Sequence, residues 1–141
     1  NGFDEAIFLT ERGHVAEGAT CNLFIVRDGR LITPPPSDNI LEGITRASIM
    51  ELARAELHLE VVERSIERSE LYVCDEAFFT GTAVEVAPIT NVDHRPVGNG
   101  EIGFFTHQLR RLYLDATHGR LDRYRHWVMP AYAMAASELP C

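Results

Sequence analysis

The stretch from Thr20 to Pro34 reads as a β-hairpin. Thr20–Val26 and Arg30–Thr33 are apolar, strand-prone runs, and the Asp28-Gly29 pair between them suits a tight turn with positive φ. The prolines at 34–36, followed by Ser37-Asp38-Asn39, end the second strand and predict a loop. A helix is expected from about Ile44 to Glu56, because Ile49, Leu52, Ala53 and Leu57 recur at helical spacing. His58–Ile66 returns to strand composition around Val61-Val62, residues 69–73 predict a short helical turn, and Glu76–Thr82 reads as a buried strand ending at glycine. Residues 85–92 and 95–98 predict a second hairpin about Asp93-His94. A last helix is expected near 104–118, with Phe105, Leu109, Leu112, Tyr113 and Ala116 on one side and Gly119 placed to cap it. Residues 5–10 predict an opening strand, and 130–141 a terminal tail. Alternating strands and helices with hairpins between them imply an α/β or α+β domain built on a mixed sheet. No internal repeat or linker divides it.

Composition sets the class. A chain of 141 residues with 45% hydrophobic residues fits one globular domain with a sizeable core. No apolar run approaches the roughly 20 residues of a membrane helix, and the opening NGFDE lacks the basic start of a signal peptide. The net charge is −8, and the 13 basic residues are scattered rather than striped, which argues against a nucleic-acid partner. All 13 are arginine; the chain has no lysine. Cys21, Cys74 and Cys141 are odd in number and irregular in spacing, so a reducing cytoplasm is expected rather than a disulfide framework. Because the first residue is Asn1, the chain is expected to be a piece of something longer.

Three loops carry the chemistry: Glu17–Phe24, Leu41–Arg46 and Thr80–Ala83. The second opens the predicted helix, where unpaired amides sit at the positive end of the dipole. Gly43 lets a ligand approach the backbone there and Thr45 adds a hydroxyl, so a phosphate could be held without lysine or arginine. Gly81-Thr82-Ala83 offers a permissive glycine, a hydroxyl and successive amides. On residue chemistry alone, the favoured reading is that Gly43 just starts a helix and Gly81 just ends a strand, because such loops are common. Asn22 is expected to satisfy backbone groups within its loop, Arg46 to be a helix-surface charge, and Cys21 to be a buried structural thiol. Tyr124–Trp127 is expected to pack at the chain end. The six histidines show no metal-ligand spacing, and neither a nucleophile elbow nor a phosphate-binding P-loop occurs.

Glu17, Asn22-Leu23-Phe24, Leu31-Ile32-Thr33 and Leu41-Glu42-Gly43-Ile44-Thr45-Arg46, in that order and spacing, resemble the signature of class IV (fold-type IV) pyridoxal-phosphate aminotransferases. The resemblance continues through Glu63–Thr90 and LYLDATHGRLDRYRHW to about Met129, and the closing stretch is similar to branched-chain members. It implies the C-terminal cofactor-binding domain of the D-amino-acid aminotransferase-like fold over residues 1–129, with 130–141 as tail. The implied cofactor is pyridoxal 5'-phosphate. Glu17 matches the carboxylate that pairs with the pyridine nitrogen and keeps it protonated. Leu41 matches the apolar residue on the cofactor ring, Gly43, Ile44 and Thr45 the helix start that binds phosphate, and Thr82 a second phosphate contact. Gly81, Thr82 and Ala83 match the segment that receives the substrate α-carboxylate.

The resemblance also implies a Schiff-base lysine as catalytic residue, which this chain lacks, so the isolated chain is expected to be inactive. The expected parent transfers an amino group between Leu, Ile or Val and 2-oxoglutarate, with the missing N-terminal part of the enzyme and a second subunit as partners. The same loops serve D-amino-acid aminotransferases and aminodeoxychorismate lyases. A lysine-free chain that only binds the cofactor or a partner protein is a further alternative.

Overall fold

The computed structural model describes residues 2–129; Asn1 and the tail expected at 130–141 lie outside the described residues. β1 (Asn22–Arg27) and β2 (Arg30–Thr33) form the expected hairpin, with Asp28 at φ 52° and Gly29 at φ 71°, both in the left-handed region that a two-residue turn demands. After α1 (Ile44–Leu57) the chain returns as β3 (Glu60–Glu63), which pairs parallel with β2. β4 (Glu76–Gly81) pairs antiparallel with the other side of β1, and β5 (Glu85–Ile89) pairs antiparallel with β4. The result is a mixed five-stranded sheet in the order β3-β2-β1-β4-β5.

β1 is apolar at consecutive positions because both faces of the sheet are covered. Phe24 and Val26 join Leu31, Phe78 and Val86 beneath Ile49, Leu52 and Ala53 of α1 and Leu109 and Ala116 of α2 (Phe104–Thr117). Phe24 and Phe78 stand opposite in register and stack with centroids 5.2 Å apart. Leu23 and Ile25 face the other way, with Ile32, Ala77 and Phe79, under Val15, Ile66, Leu71 and Val97. Burying each of these larger side chains stabilises the fold by about 1.5–3 kcal/mol. The closing 3-10 turn Asp122–Trp127 packs as expected: Tyr124 is buried, its ring lies 4.5 Å from that of Trp127, and its hydroxyl donates to Glu56 Oε1 at 2.7 Å.

α2 is fastened at its start by a residue from the sheet. Glu76, buried at the beginning of β4, accepts from the Phe105 amide at 3.0 Å and from the Thr106 amide and hydroxyl at 2.7 Å each. A β-carbon on Gly103 would lie 2.0 Å from Glu76 Cδ, so any side chain at this N-cap would push the Glu76 carboxylate off the helix start.

Two expectations need correction. Residues 5–10 do not form a strand of the sheet: Leu9 makes a single bridge to Val15, and Phe8 exchanges backbone hydrogen bonds with Ala16 and Glu17. The reverse turn at residues 10–14, with Gly13 at φ 82°, folds this run onto its own neighbours before it can reach the sheet. The second hairpin is also shorter than expected. Only Asn91–Val92 (β6) and Arg95–Pro96 (β7) pair around Asp93-His94, while residues 85–89 belong to the main sheet. Pro88 is compatible with that assignment because β5 is an edge strand.

The antiparallel pairings bring the start of β1 and the ends of β2 and β4 to one end of the sheet. The three loops singled out from the sequence all leave from there.

Candidate functional site

Glu17 sits in a bridge to Asn22, separated from it by a tight turn that the Gly18 amide closes onto the Cys21 carbonyl at 2.8 Å. The turn is crowded: a β-carbon on Gly18 would meet Cys21 Sγ at 2.5 Å and the Phe79 ring at 3.1 Å. Asn22 is buried and reaches two ways, its Nδ2 donating to Glu17 Oε2 at 3.1 Å and to the Leu41 carbonyl at 2.7 Å. The Leu41 amide also donates to Glu17 Oε2, at 3.2 Å. Glu17 Oε2 therefore accepts from two N–H groups, while Oε1 has no partner among the described residues. Asn22 does more than serve its own loop; it ties the carboxylate to the loop that opens α1.

That loop continues into a helix start left open. Gly43 is the N-cap of α1 at φ −65° and ψ 146°, with no capping side chain and no acidic residue in the first turn. The Ala47 amide reaches the Gly43 carbonyl at 3.1 Å, but the amides of Ile44, Thr45 and Arg46 have no acceptor among the described residues. The contrast with α2, whose first amides are closed by Glu76, is direct. A β-carbon on Gly43 would fall 2.5 Å from Asn22 Oδ1, so this glycine is dictated by close approach rather than by a positive φ. Leu41 and Ile44 are 78% and 86% exposed, so two apolar side chains flank the open amides. Thr45 is buried, with its hydroxyl 3.4 Å from that of Tyr113 on α2.

The third loop packs against the first. A β-carbon on Gly81 would lie 3.2 Å from the Thr20 carbonyl and 3.4 Å from Cys21 Cβ. Thr82 and Ala83 are exposed in the turn that follows β4. No hydrogen bond among the described residues joins them to the Leu41–Arg46 loop. Thr80, one residue earlier, is fully buried, and its hydroxyl has no partner among the described residues.

Arg46 is not the surface charge expected. It is 4% exposed; Nη2 donates to Glu63 Oε1 at 2.7 Å and to the Pro34 carbonyl at 3.1 Å, and its buried Nε has no partner among the described residues. The signal was in the spacing: positions 46, 49, 50 and 53 form one stripe of the helix, and Ile49, Met50 and Ala53 are core.

Cys21 and Cys74 are buried, and neither has a disulfide partner among the described residues; burial, with Glu5 and Glu17 next, pushes the Cys21 thiol up, and burial takes Cys74 up to about 11. Among the described residues no group of three or more His, Cys, Asp or Glu could hold a metal ion. No helix there is long and apolar enough to cross a membrane. A cavity of about 890 Å³ lies beside the loops rather than on them. Residues 2–7 and 87–94 supply most of its wall, and of the three loops only Cys21 contributes.

The donor set suits a flat, zwitterionic ring bearing a phosphate. It has a held carboxylate with one open oxygen, an uncapped helix start, and exposed apolar side chains between them.

Comparison with known proteins agrees. Residues 1–92 match the family model described as amino-transferase class IV. The chain is 52% identical over 132 residues to a probable branched-chain-amino-acid aminotransferase of Aquifex aeolicus, covering 94% of this chain and 42% of that protein. It is 46% identical over 126 residues to the branched-chain-amino-acid aminotransferase of Pseudomonas aeruginosa, covering 89% and 40%. Among solved structures, the Thermobaculum terrenum branched-chain amino acid aminotransferase in PLP form superposes with a TM-score of 0.87 at 47% identity, covering 90% of this chain and 41% of that one. The Thermoproteus uzoniensis branched-chain aminotransferase with norvaline gives 0.88 at 44% identity, covering 93% and 43%. This chain thus spans about two fifths of the length of the relatives it matches. The signature residues, the mixed sheet that gathers them and these matches lead to one conclusion: the chain belongs to the class IV aminotransferase family.

Proposed function

We propose that this chain is the cofactor-binding part of a branched-chain amino acid aminotransferase that uses pyridoxal 5'-phosphate. The whole enzyme moves an amino group between leucine, isoleucine or valine and 2-oxoglutarate. One observation carries the reading: the Leu41 amide bonds to Glu17 Oε2 and so joins the held carboxylate to the open start of α1. A ligand spanning the two would need a protonated nitrogen at one end and an anion at the other.

When bound, pyridoxal phosphate supplies the electron sink that α-carbon chemistry of amino acids requires. The residues of this chain bind and orient. Glu17 Oε1 holds a proton on the pyridine nitrogen, while Asn22 and Leu41 fix Oε2 so that the carboxylate cannot turn away. The open amides of Ile44 and Thr45, with the hydroxyls of Thr45 and Thr82, receive the phosphate. Gly43 would keep that approach clear, and Leu41 would supply an apolar surface for the bound ring. Gly81, Thr82 and Ala83 receive the substrate carboxylate.

The covalent lysine belongs to the rest of the enzyme, since this chain contains none. The rest of the polypeptide and a second subunit complete the substrate pocket, and the enzyme works in the cytoplasm. The names of the relatives favour branched-chain substrates over the D-amino acids or aminodeoxychorismate handled on the same loops.

Rates of the full-length enzyme on L-valine, L-leucine and L-isoleucine with 2-oxoglutarate, beside D-alanine and aminodeoxychorismate, test the substrate class. Glu17→Gln tests the site. It should retain the cofactor but lose catalysis by a hundredfold or more, an order set by the weakened hold on one proton. Activity on D-alanine alone, or a fully active Glu17→Gln enzyme, would refute the proposal.

A further inference from the structure

We infer that Arg46 is a positioning residue: it locks the first turn of α1 against the ends of β2 and β3, so that the open amides of Ile44 and Thr45 meet a phosphate in one orientation. The inference rests on the reading of that helix start as the phosphate site.

Arg46 stands in the least favourable place for a cation. It is the third residue after the N-cap Gly43, where the helix dipole already repels positive charge, and it is 4% exposed. Its partners compensate only in part. Glu63, at 2.7 Å, is 40% exposed on its own side chain and shares its charge with solvent, and Nε remains buried without a partner among the described residues. A methionine or leucine could fill the same space in the stripe with Ile49, Met50 and Ala53 without these costs.

What the guanidinium adds is attachment. From one nitrogen it reaches the Pro34 carbonyl, directly after β2, and Glu63, the last residue of β3. α1 is thereby fixed across the gap between two parallel strands at the end where its amides open. The charge also raises the potential at those amides, in the sense that favours a phosphate.

The test is the ratio of affinities for pyridoxal 5'-phosphate and for pyridoxal, which differ only in the phosphate, measured by titrating the full-length apoenzyme. Arg46→Met should weaken the phosphorylated ligand about tenfold more than pyridoxal, the order expected for a lost charge-assisted contact network. Arg46→Lys, which keeps the charge and can reach one partner, should recover part of that loss. Glu63→Ala should fall between wild type and Arg46→Met. A purely structural role would weaken both ligands equally, so an unchanged ratio in the variants overturns the inference. If Arg46→Met does not fold, Arg46→Lys and Glu63→Ala read the same ratio and decide the matter alone. If wild type itself binds both ligands equally, the phosphate site is wrong and the role of Arg46 falls with it. Discrimination in wild type that survives unchanged in every variant refutes only the role of Arg46.

Discussion

Replacing Glu76 by alanine should release α2 from the sheet while leaving the loops at the far end in place. The carboxylate holds the Phe105 amide at 3.0 Å and both the amide and hydroxyl of Thr106 at 2.7 Å. Thr106 is 1% exposed, so water cannot readily replace what the mutation removes. A bond to a charged acceptor is worth about 1.5–3 kcal/mol, and losing an N-cap costs about 1 kcal/mol. The three bonds share one carboxylate whose burial is itself costly, so they do not add; about 3 kcal/mol is the expected net loss. Hydrogen exchange in the full-length enzyme reads this directly. Amides of α2 should exchange more than about a hundredfold faster, since 1.4 kcal/mol corresponds to tenfold. Glu76→Gln, which keeps one acceptor oxygen, should lie roughly midway. Peptides covering α1 and the Glu17 loop should change little, and cofactor affinity should stay within about twofold. Less than a tenfold change in α2, or equal acceleration across the whole protein, would refute the view that this carboxylate acts as a local clasp.

Other perturbations probe the opposite end and the rim. Gly43→Ala places a β-carbon 2.5 Å from Asn22 Oδ1, so Asn22 must shift and release Glu17; cofactor affinity should drop at least about tenfold. Unaltered affinity would show that Asn22 does not hold the carboxylate in place. The Glu70 carboxyl is lowered to about 2, first by its hydrogen bonds from Arg64 and then by the Glu67 amide and Arg27, against a burial effect that opposes them. A depressed carboxylate stabilises the fold above its unfolded value and ceases to do so as pH falls through its folded value. Glu70→Gln should therefore lower the denaturation midpoint at pH 7, by about 2–3 kcal/mol of stability. That gap should narrow from pH 4.5 towards 2; a constant gap across this window would refute the ion-pair account.

Much of the architecture was legible because its causes are local. Asp28-Gly29 has a turn conformation that few other pairs adopt, and the spacing of Ile49, Leu52 and Ala53 marks a helix face without any knowledge of its partner. The site loops were legible as materials but not as an assembly. That Asn22 joins Glu17 to Leu41 depends on a contact across 19 residues, and that Glu76 caps α2 on one across 29, and no local pattern encodes either. Arg46 failed for a different reason. Its position on the buried stripe was visible, but its charge argued for solvent, and the carboxylate that admits it to the interior lies 17 residues away. The opening segment misled because Phe8 and Leu9 have strand composition, yet are 51% and 43% exposed and find their partners a few residues ahead.

The unequal treatment of the two helix starts has a thermodynamic consequence. α2 is complete when the chain folds, because the protein supplies its own anion. The first amides of α1 have no such acceptor among the described residues, so on the proposed reading an anion bound there would finish a structural element instead of merely resting on it. Its first turn should be the least protected part of the sheet-facing helices in the empty protein and gain protection as ligand rises. On that reading cofactor concentration would enter the stability of the enzyme directly, as a term that grows with the logarithm of one plus the ratio of free cofactor to its dissociation constant.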